Sequence, residues 1–235
     1  MGVDDRSATR ERIVAAAAGL LAEGGREAVS TRGVSNAAHV QPPAIYRIFG
    51  DMQGLLDAVV SYGFQAYLDK KINRPHAADP VDDLREGWDA HVGFGVANPE
   101  FYKLMYGQPV SGTESEAAKK AAEILIGLVE RVAKAGRLAV GVERAAQMIH
   151  SAGCGVTLTL IGTPPESRDP ELSERTREAI LAAVITEGPR ASGAGRPSAV
   201  HAVALKAVLS EAEDTLSPGE RHLLTEWLDR ISHSW

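Results

Sequence analysis

Apolar side chains recur at helical spacing along most of the chain, and no segment shows the period-two alternation of a half-buried strand. The first run places Ile13, Ala16, Ala17, Leu20 and Leu21 on one face and stops at Gly24-Gly25. Ser30 then caps a short helix whose buried positions are expected at Val34, Ala37 and Ala38. His39-Val40-Gln41 leaves room only for a sharp crossing into a second short helix, which carries Ile45, Ile48 and Phe49 with Tyr46 near its middle. Pro43 disfavours a helical Pro42, so this helix is expected to start at or after Pro43, with Gln41 or Pro42 as its cap. Asp51 caps a fourth, longer helix with Leu55, Leu56, Val59, Val60, Phe64, Tyr67 and Leu68 on its apolar positions.

The punctuation continues in the same style. Pro80 opens a helix with Leu84, Trp88, His91, Val92 and Gly95 on one stripe, and Asn98-Pro99 reads as the cap and first-turn proline of the next. Long helices are expected over residues 113–135 and 142–161, separated by Gly136 and Gly141, and another from Asp169-Pro170 to Gly188. Residues 188–197, rich in glycine and small residues, read as a flexible linker before two amphipathic helices in 198–235. The second of these opens with Ser217-Pro-Gly-Glu220, a capping box. The fold class is therefore all-α.

Two short helices joined by a tight turn form a helix-turn-helix, here at about residues 30–49, whose second helix can enter the major groove of DNA. Short αα-hairpins are common in proteins that touch no nucleic acid, so the flanks carry the distinction. Residues 9–60 resemble the DNA-binding domain of TetR-family transcriptional regulators through Ile13, Ala16, Leu20, Gly25, Val34, Ala38, Val40, Ile45, Tyr46, Phe49 and Leu55. Two positions depart from that pattern: His39 replaces the usual turn glycine, and Met52 replaces a lysine that would meet a phosphate. The resemblance implies a three-helix head joined by a long fourth helix to a larger ligand-binding and dimerisation domain, in which the last two large helices pair across a two-fold axis.

Charge does not by itself point to DNA. The chain carries a net charge of −6, and residues 1–60 hold six arginines against seven carboxylates. Attraction to phosphate must then come from where the cations lie and from helix N-termini. Residues 41–48, Pro42 among them, are expected in the major groove with Gln41 and Ala44 near bases, while Thr31, Arg32 and Tyr46 hold phosphates and Arg47 meets a phosphate or a base. No secretory leader or membrane span is evident, and the single cysteine, Cys154, suits a reducing cytosol, so a cytoplasmic location without membrane association is expected.

Five of the twelve aromatic residues, Trp88, Phe94, Phe101, Tyr102 and Tyr106, cluster in one block beside His91 and Met105. An aromatic stripe at helical spacing is usually core. The block also resembles the ligand-binding domain of a TetR branch with a Trp-His-Gly signature, which implies an apolar effector pocket lined by Trp88, His91, Phe101, Tyr102, Met105, Tyr106 and Met148. His150 and Cys154 are one helical turn apart and could share a soft metal ion, but two ligands are half a site, and the pair reads as a buried thiol beside a histidine. Small residues at Ala145, Ala146, Ser151, Ala152, Gly153 and Gly155 suit a close helix contact in a dimer.

No nucleophile elbow, zinc-protease or phosphate-loop pattern is present, and the partial glycine motifs lie between no strand and helix, so no enzyme activity, metal or cofactor is expected. The domain organisation expected is a disordered arm over 1–8, the head over 9–60, a ligand-binding and dimerisation domain over 61–187, the linker and the C-terminal helical pair. The functional reading is a homodimeric repressor on pseudo-palindromic double-stranded operator DNA, released by a small, mostly apolar effector. The alternative is an all-α ligand-binding or scaffold protein whose helix-turn-helix no longer binds DNA.

Overall fold

The computed structural model describes residues 3–72, 76–107, 116–186, 197–209 and 215–233. Among them the chain forms eleven α-helices: α1 (Val3–Ala28), α2 (Thr31–Ala38), α3 (Pro42–Phe49), α4 (Met52–Ile72), α5 (Pro80–Ala97), α6 (Pro99–Tyr106), α7 (Glu116–Lys134), α8 (Val142–Gly162), α9 (Leu172–Val184), α10 (Pro197–Val208) and α11 (Pro218–His233). No strand occurs among the described residues, only an isolated bridge between Leu138 and Ile185. The chain divides into two compact units, one of residues 1–75 and 93–121, the other of 76–92 and 122–235.

The first unit is built on a small core. Ile13, Val14, Ala17, Ala18 and Leu21 of α1 meet Val34 and Ala38 of α2, Ile45 of α3, and Leu55, Leu56 and Val59 of α4. Burying a side chain of the size of Ile45 is worth about 1.5–3 kcal/mol, so this cluster holds the short helices α2 and α3, neither of which would be stable alone. Ser35, not Ala37, is the third buried position of α2, because the face turned to α1 is set by the crossing rather than by apolarity. α1 is longer than its apolar pattern suggests. It begins at Val3, so residues 3–8 are helical where an arm was expected, and it runs on to Ala28 through a kink at Gly25, whose φ of 67° only glycine adopts freely. Tyr67, Leu68 and Met1-Gly2 lie outside the described side chains or residues.

α6 also belongs to this unit, packed on α1 and α4, with Phe101 and Leu104 against the same core. A Cβ on Gly63 of α4 would stand 2.5 Å from the Phe101 ring, so that glycine lets the two helices close. Asn98 opens α6 without a side-chain cap; its amide instead donates to the Phe94 carbonyl and finishes α5.

In the second unit, α5 and α9 are tied by polar contacts. Arg85 donates twice to Glu178 at 3.1 Å, Arg177 meets Asp89 at 2.5 Å, and the Trp88 indole donates to Ser173 Oγ at 3.0 Å. The Arg85 guanidinium holds the Glu178 carboxyl below the usual carboxylate range, a sign that the pair stays ionised at neutral pH. α7 is closed just beyond Lys134 by Gly136, with Arg137 N–H on the Val132 carbonyl and Gly136 N–H on that of Ala133. α9 starts later than Asp169-Pro170 implies, because Pro165–Ser167 form a 3₁₀ turn and Asp169 Oδ1 first accepts from Glu171 N–H. Residues 113–115 and 188–196 fall outside the described residues, while Pro197, the last position of the expected linker, opens α10. The Ser217–Glu220 capping box is made in both directions at α11.

Candidate nucleic-acid interface

α2 begins as its sequence implies. Ser30 Oγ accepts the Gly33 N–H at 3.1 Å, which satisfies one of the orphan donors of the first turn. The other end is closed by His39, whose backbone is left-handed at φ 53° and ψ 47°. His39 N–H reaches the Asn36 carbonyl and Val40 N–H that of Ser35 at 3.0 Å, the same double closure that Gly136 makes at the end of α7. A histidine therefore performs the turn that glycine would, at a backbone cost. Arg12 of α1 donates to the Ala38 carbonyl at 3.1 Å and ties the turn to the first helix. Nothing in the local sequence signals this contact, since its partners are 26 residues apart.

Because His39 is exposed and its backbone is left-handed, His39→Gly should relieve the strain without leaving a cavity. We expect it to raise stability by about 1 kcal/mol, read as a higher denaturation midpoint with unchanged slope. A lower midpoint would show that the imidazole itself supports the turn.

α3 starts at Pro42, one residue before the expected limit, with Gln41 as its N-cap. Both prolines sit in the first turn, where no helical acceptor needs their missing N–H groups. Gln41 makes no side-chain cap bond, so its amide is not consumed by the helix it precedes. Ile45 is fully buried and Ile48 and Phe49 half-buried, which turns Gln41, Pro42, Tyr46 and Arg47 outward, with Ala44 between the two faces. Tyr46 remains 46% exposed, and its hydroxyl lies 2.9 Å from Thr31 Oγ1 at the start of α2. Two hydroxyls from successive helices are thus held side by side at the surface. Arg32 and Arg47 are exposed, and no ion pair engages either of them among the described residues.

The corner into α4 is also set by specific contacts. Asp51 Oδ1 accepts the Gly54 N–H at 2.8 Å, as its capping position implies. Met52, which stands where the resemblance implies a lysine, packs against the head core, so its side chain gains apolar burial there. Arg10 lies over the Phe49 ring at 5.5 Å, placing a further cation beside the end of α3.

The residues expected to line an effector pocket divide between the units. Phe101, Tyr102, Met105 and Tyr106 stand on α6 in the first; Tyr102 is fully buried, with its ring 4.9 Å from that of Tyr106. Trp88, His91 and Met148 belong to the second, where Trp88 is 5% exposed and bound to Ser173. The small residues of α8 divide as well. Ala145, Ala146 and Gly153 are buried within the chain, whereas Gln147, Ser151, Gly155 and Thr159 form an exposed stripe.

Residues 13–59 match the profile of the bacterial regulatory proteins of the tetR family. No curated protein matches the chain. Among solved structures, the chain is similar to a protein of unknown function from Rhodococcus sp. RHA1, with a TM-score of 0.62 and 22% identity over 76% of this chain and 96% of that one. A putative tetR family transcription regulator from Shewanella sp. PV-4 gives a TM-score of 0.60 and 17% identity over 76% and 99%. NalD, the secondary repressor of the MexAB-OprM multidrug efflux pump in Pseudomonas aeruginosa, gives 0.53 and 18% over 78% and 99%. These likenesses establish the all-α fold of such regulators, and roughly a quarter of this chain has no counterpart in them.

Proposed function

We propose that this chain, whose residues 13–59 match the profile of the tetR family of bacterial regulatory proteins, is a homodimeric repressor that binds a pseudo-palindromic operator and leaves it when a small molecule binds. The observation that carries the reading is the outward face of the head. Thr31 and Tyr46 hold their hydroxyls 2.9 Å apart, flanked by exposed Arg32 and Arg47, while Gln41 at the tip of α3 has no capping duty. Hydroxyls and arginines suit phosphate oxygens, and a glutamine amide suits a base edge. The intact turn at His39 removes one reason to doubt that the head can dock.

Arg47 is assigned to a phosphate. Arg47→Ala should weaken binding to operator and unrelated duplexes alike and lower the salt slope by about one unit. Relaxed sequence preference at constant slope would make Arg47 a base reader instead.

Dimerisation is supported by α8. Gly155 is exposed and a Cβ there would meet nothing within 4 Å, so the chain itself gives no reason for glycine in mid-helix, at a cost of about 1 kcal/mol relative to alanine. A second copy approaching along the Gln147, Ser151, Gly155 and Thr159 stripe would supply that reason.

The effector is proposed to act through α6, which touches both α1 and α4. Phe101 lies against Gly63, and the Glu100 carboxylate stands 3.1 Å from the Cβ position of Gly25 at the kink of α1. A small apolar molecule that displaces α6 must therefore press on the head. The linkage is reciprocal: an effector that weakens operator binding by a typical 1–3 kcal/mol binds the DNA-bound form more weakly by the same factor.

A further inference from the structure

The first unit holds a cation beside α3 that the helix-turn-helix itself does not supply. Arg10 stands on α1, three residues before Ile13 enters the core, and its guanidinium carbon lies 5.5 Å from the centroid of the Phe49 ring. Phe49 is the last residue of α3. Stacking occupies the flat face of a guanidinium and leaves its N–H groups, which lie in the plane, directed outward. Other arginines of the head spend theirs within the fold: Arg12 donates to the Ala38 carbonyl and Arg26 to that of Val29. Arg10 is exposed, and no hydrogen bond or ion pair engages it among the described residues.

We infer that Arg10 binds a DNA phosphate at the rim of the major groove, a contact made by α1 from outside the helix-turn-helix. The inference rests on the DNA-binding reading above. A recognition helix meets base edges through its N-terminal residues, so its other end lies nearer the rim, where the phosphates stand. α3 has eight residues and is about 12 Å long, comparable to the groove it would enter. With Gln41 at the base-reading tip, Phe49 is at the rim end and Arg10 is stacked upon it. The C-terminal carbonyls of α3 give that end a partial negative charge, which repels phosphate unless a cation stands beside it. Arg10 offsets that charge and presents a planar fork that matches two phosphate oxygens. The ring beneath it restricts the guanidinium in advance, so less side-chain freedom is lost on docking. Covering Phe49 alone would ask only for a long side chain of any charge.

That difference sets the test. Binding of the full chain to a duplex that it selects, and to an unrelated duplex, is measured across a range of salt concentrations for the parent, Arg10→Met and Arg10→Lys. Methionine keeps a long, flexible side chain against the ring and removes the charge; lysine keeps the charge. Arg10→Met should weaken binding to both duplexes alike and lower the salt slope by about one unit, whereas Arg10→Lys should keep the parent slope. Combined with Arg47→Ala, Arg10→Met should lower the slope by about two units, since separate phosphates are involved. Helical circular dichroism and the denaturation midpoint identify a loss of binding that comes from unfolding, which would leave the slope of the folded fraction unchanged. A folded Arg10→Met chain with the parent slope, or a double variant with no further fall than Arg47→Ala alone, would overturn this contact and leave the DNA-binding reading standing. A parent chain that binds neither duplex would overturn both.

Discussion

Gly54→Ala is expected to destabilise the head by about 2–4 kcal/mol and to abolish tight DNA binding. The added methyl would lie 2.2 Å from the Phe49 carbonyl oxygen and 3.3 Å from its carbon, and both are backbone atoms that cannot swing aside. Relief requires the end of α3 to move away from α4, and α3 carries Gln41, Tyr46 and Arg47 with it. The cost reads directly in a denaturant titration, and the functional loss in a duplex-binding titration. Gly19→Ala is the contrasting control: its Cβ meets nothing within 4 Å on the exposed side of α1, so it should stabilise by about 0.5–1 kcal/mol through helix propensity alone. A Gly54→Ala protein as stable as its parent would show that the corner between α3 and α4 is looser than its contacts imply.

Gly155→Glu is the second large effect. The new side chain enters open space on a single chain, so the fold should be kept or slightly strengthened. In a dimer paired through α8, it would bury one carboxylate against its symmetry mate. The expected product is a folded monomer by sedimentation, with affinity for a two-half-site duplex lowered about 100-fold or more because the two heads no longer bind as one. A variant that remains dimeric would move the two-fold axis away from this stripe.

What the sequence made legible follows from the range of the forces involved. Ser30, Asp51 and the Ser217–Glu220 box act within one helical turn, and each makes the bond that its position implies. Periodicity identified the buried faces of α1 and α4 for the same reason: a face is a local property. The errors lie where distant segments decide. Asn98 has the composition of a cap, yet its amide turns back to α5. Ala37 is apolar but exposed, and Ser35 is polar but buried, because the crossing with α1 fixes the orientation of α2. The bond from Arg12 to Ala38, the link from Trp88 to Ser173 and the docking of α6 on α1 join residues with no shared local pattern. Gly153 and Gly155 look alike in sequence, but one admits Trp88 and His91 while the other faces open space.

Within the candidate site, residue types were legible and their division of labour was not. Trp88 fits an effector pocket by chemistry, but its indole is already used in holding α5 to α9. Phe101, also expected to line that pocket, is partly buried against the head core and lies against Gly63, a packing role that its residue type did not reveal. Met52 illustrates the converse: a lost phosphate contact was evident in the sequence, whereas its burial appeared only with the fold.

The central claim is that this head reads DNA sequence, and selection from a pool of random duplexes tests it most directly. The pool is bound to the full chain at physiological salt, and the retained duplexes are recovered and sequenced. The expected result is an inverted repeat whose half-site centres lie one helical turn, about 34–36 Å, or a small multiple of it apart, with affinity falling steeply as salt rises. Recovery of no enriched sequence, with equal affinity for every duplex, would contradict the account and leave an all-α protein whose helix-turn-helix does not read DNA.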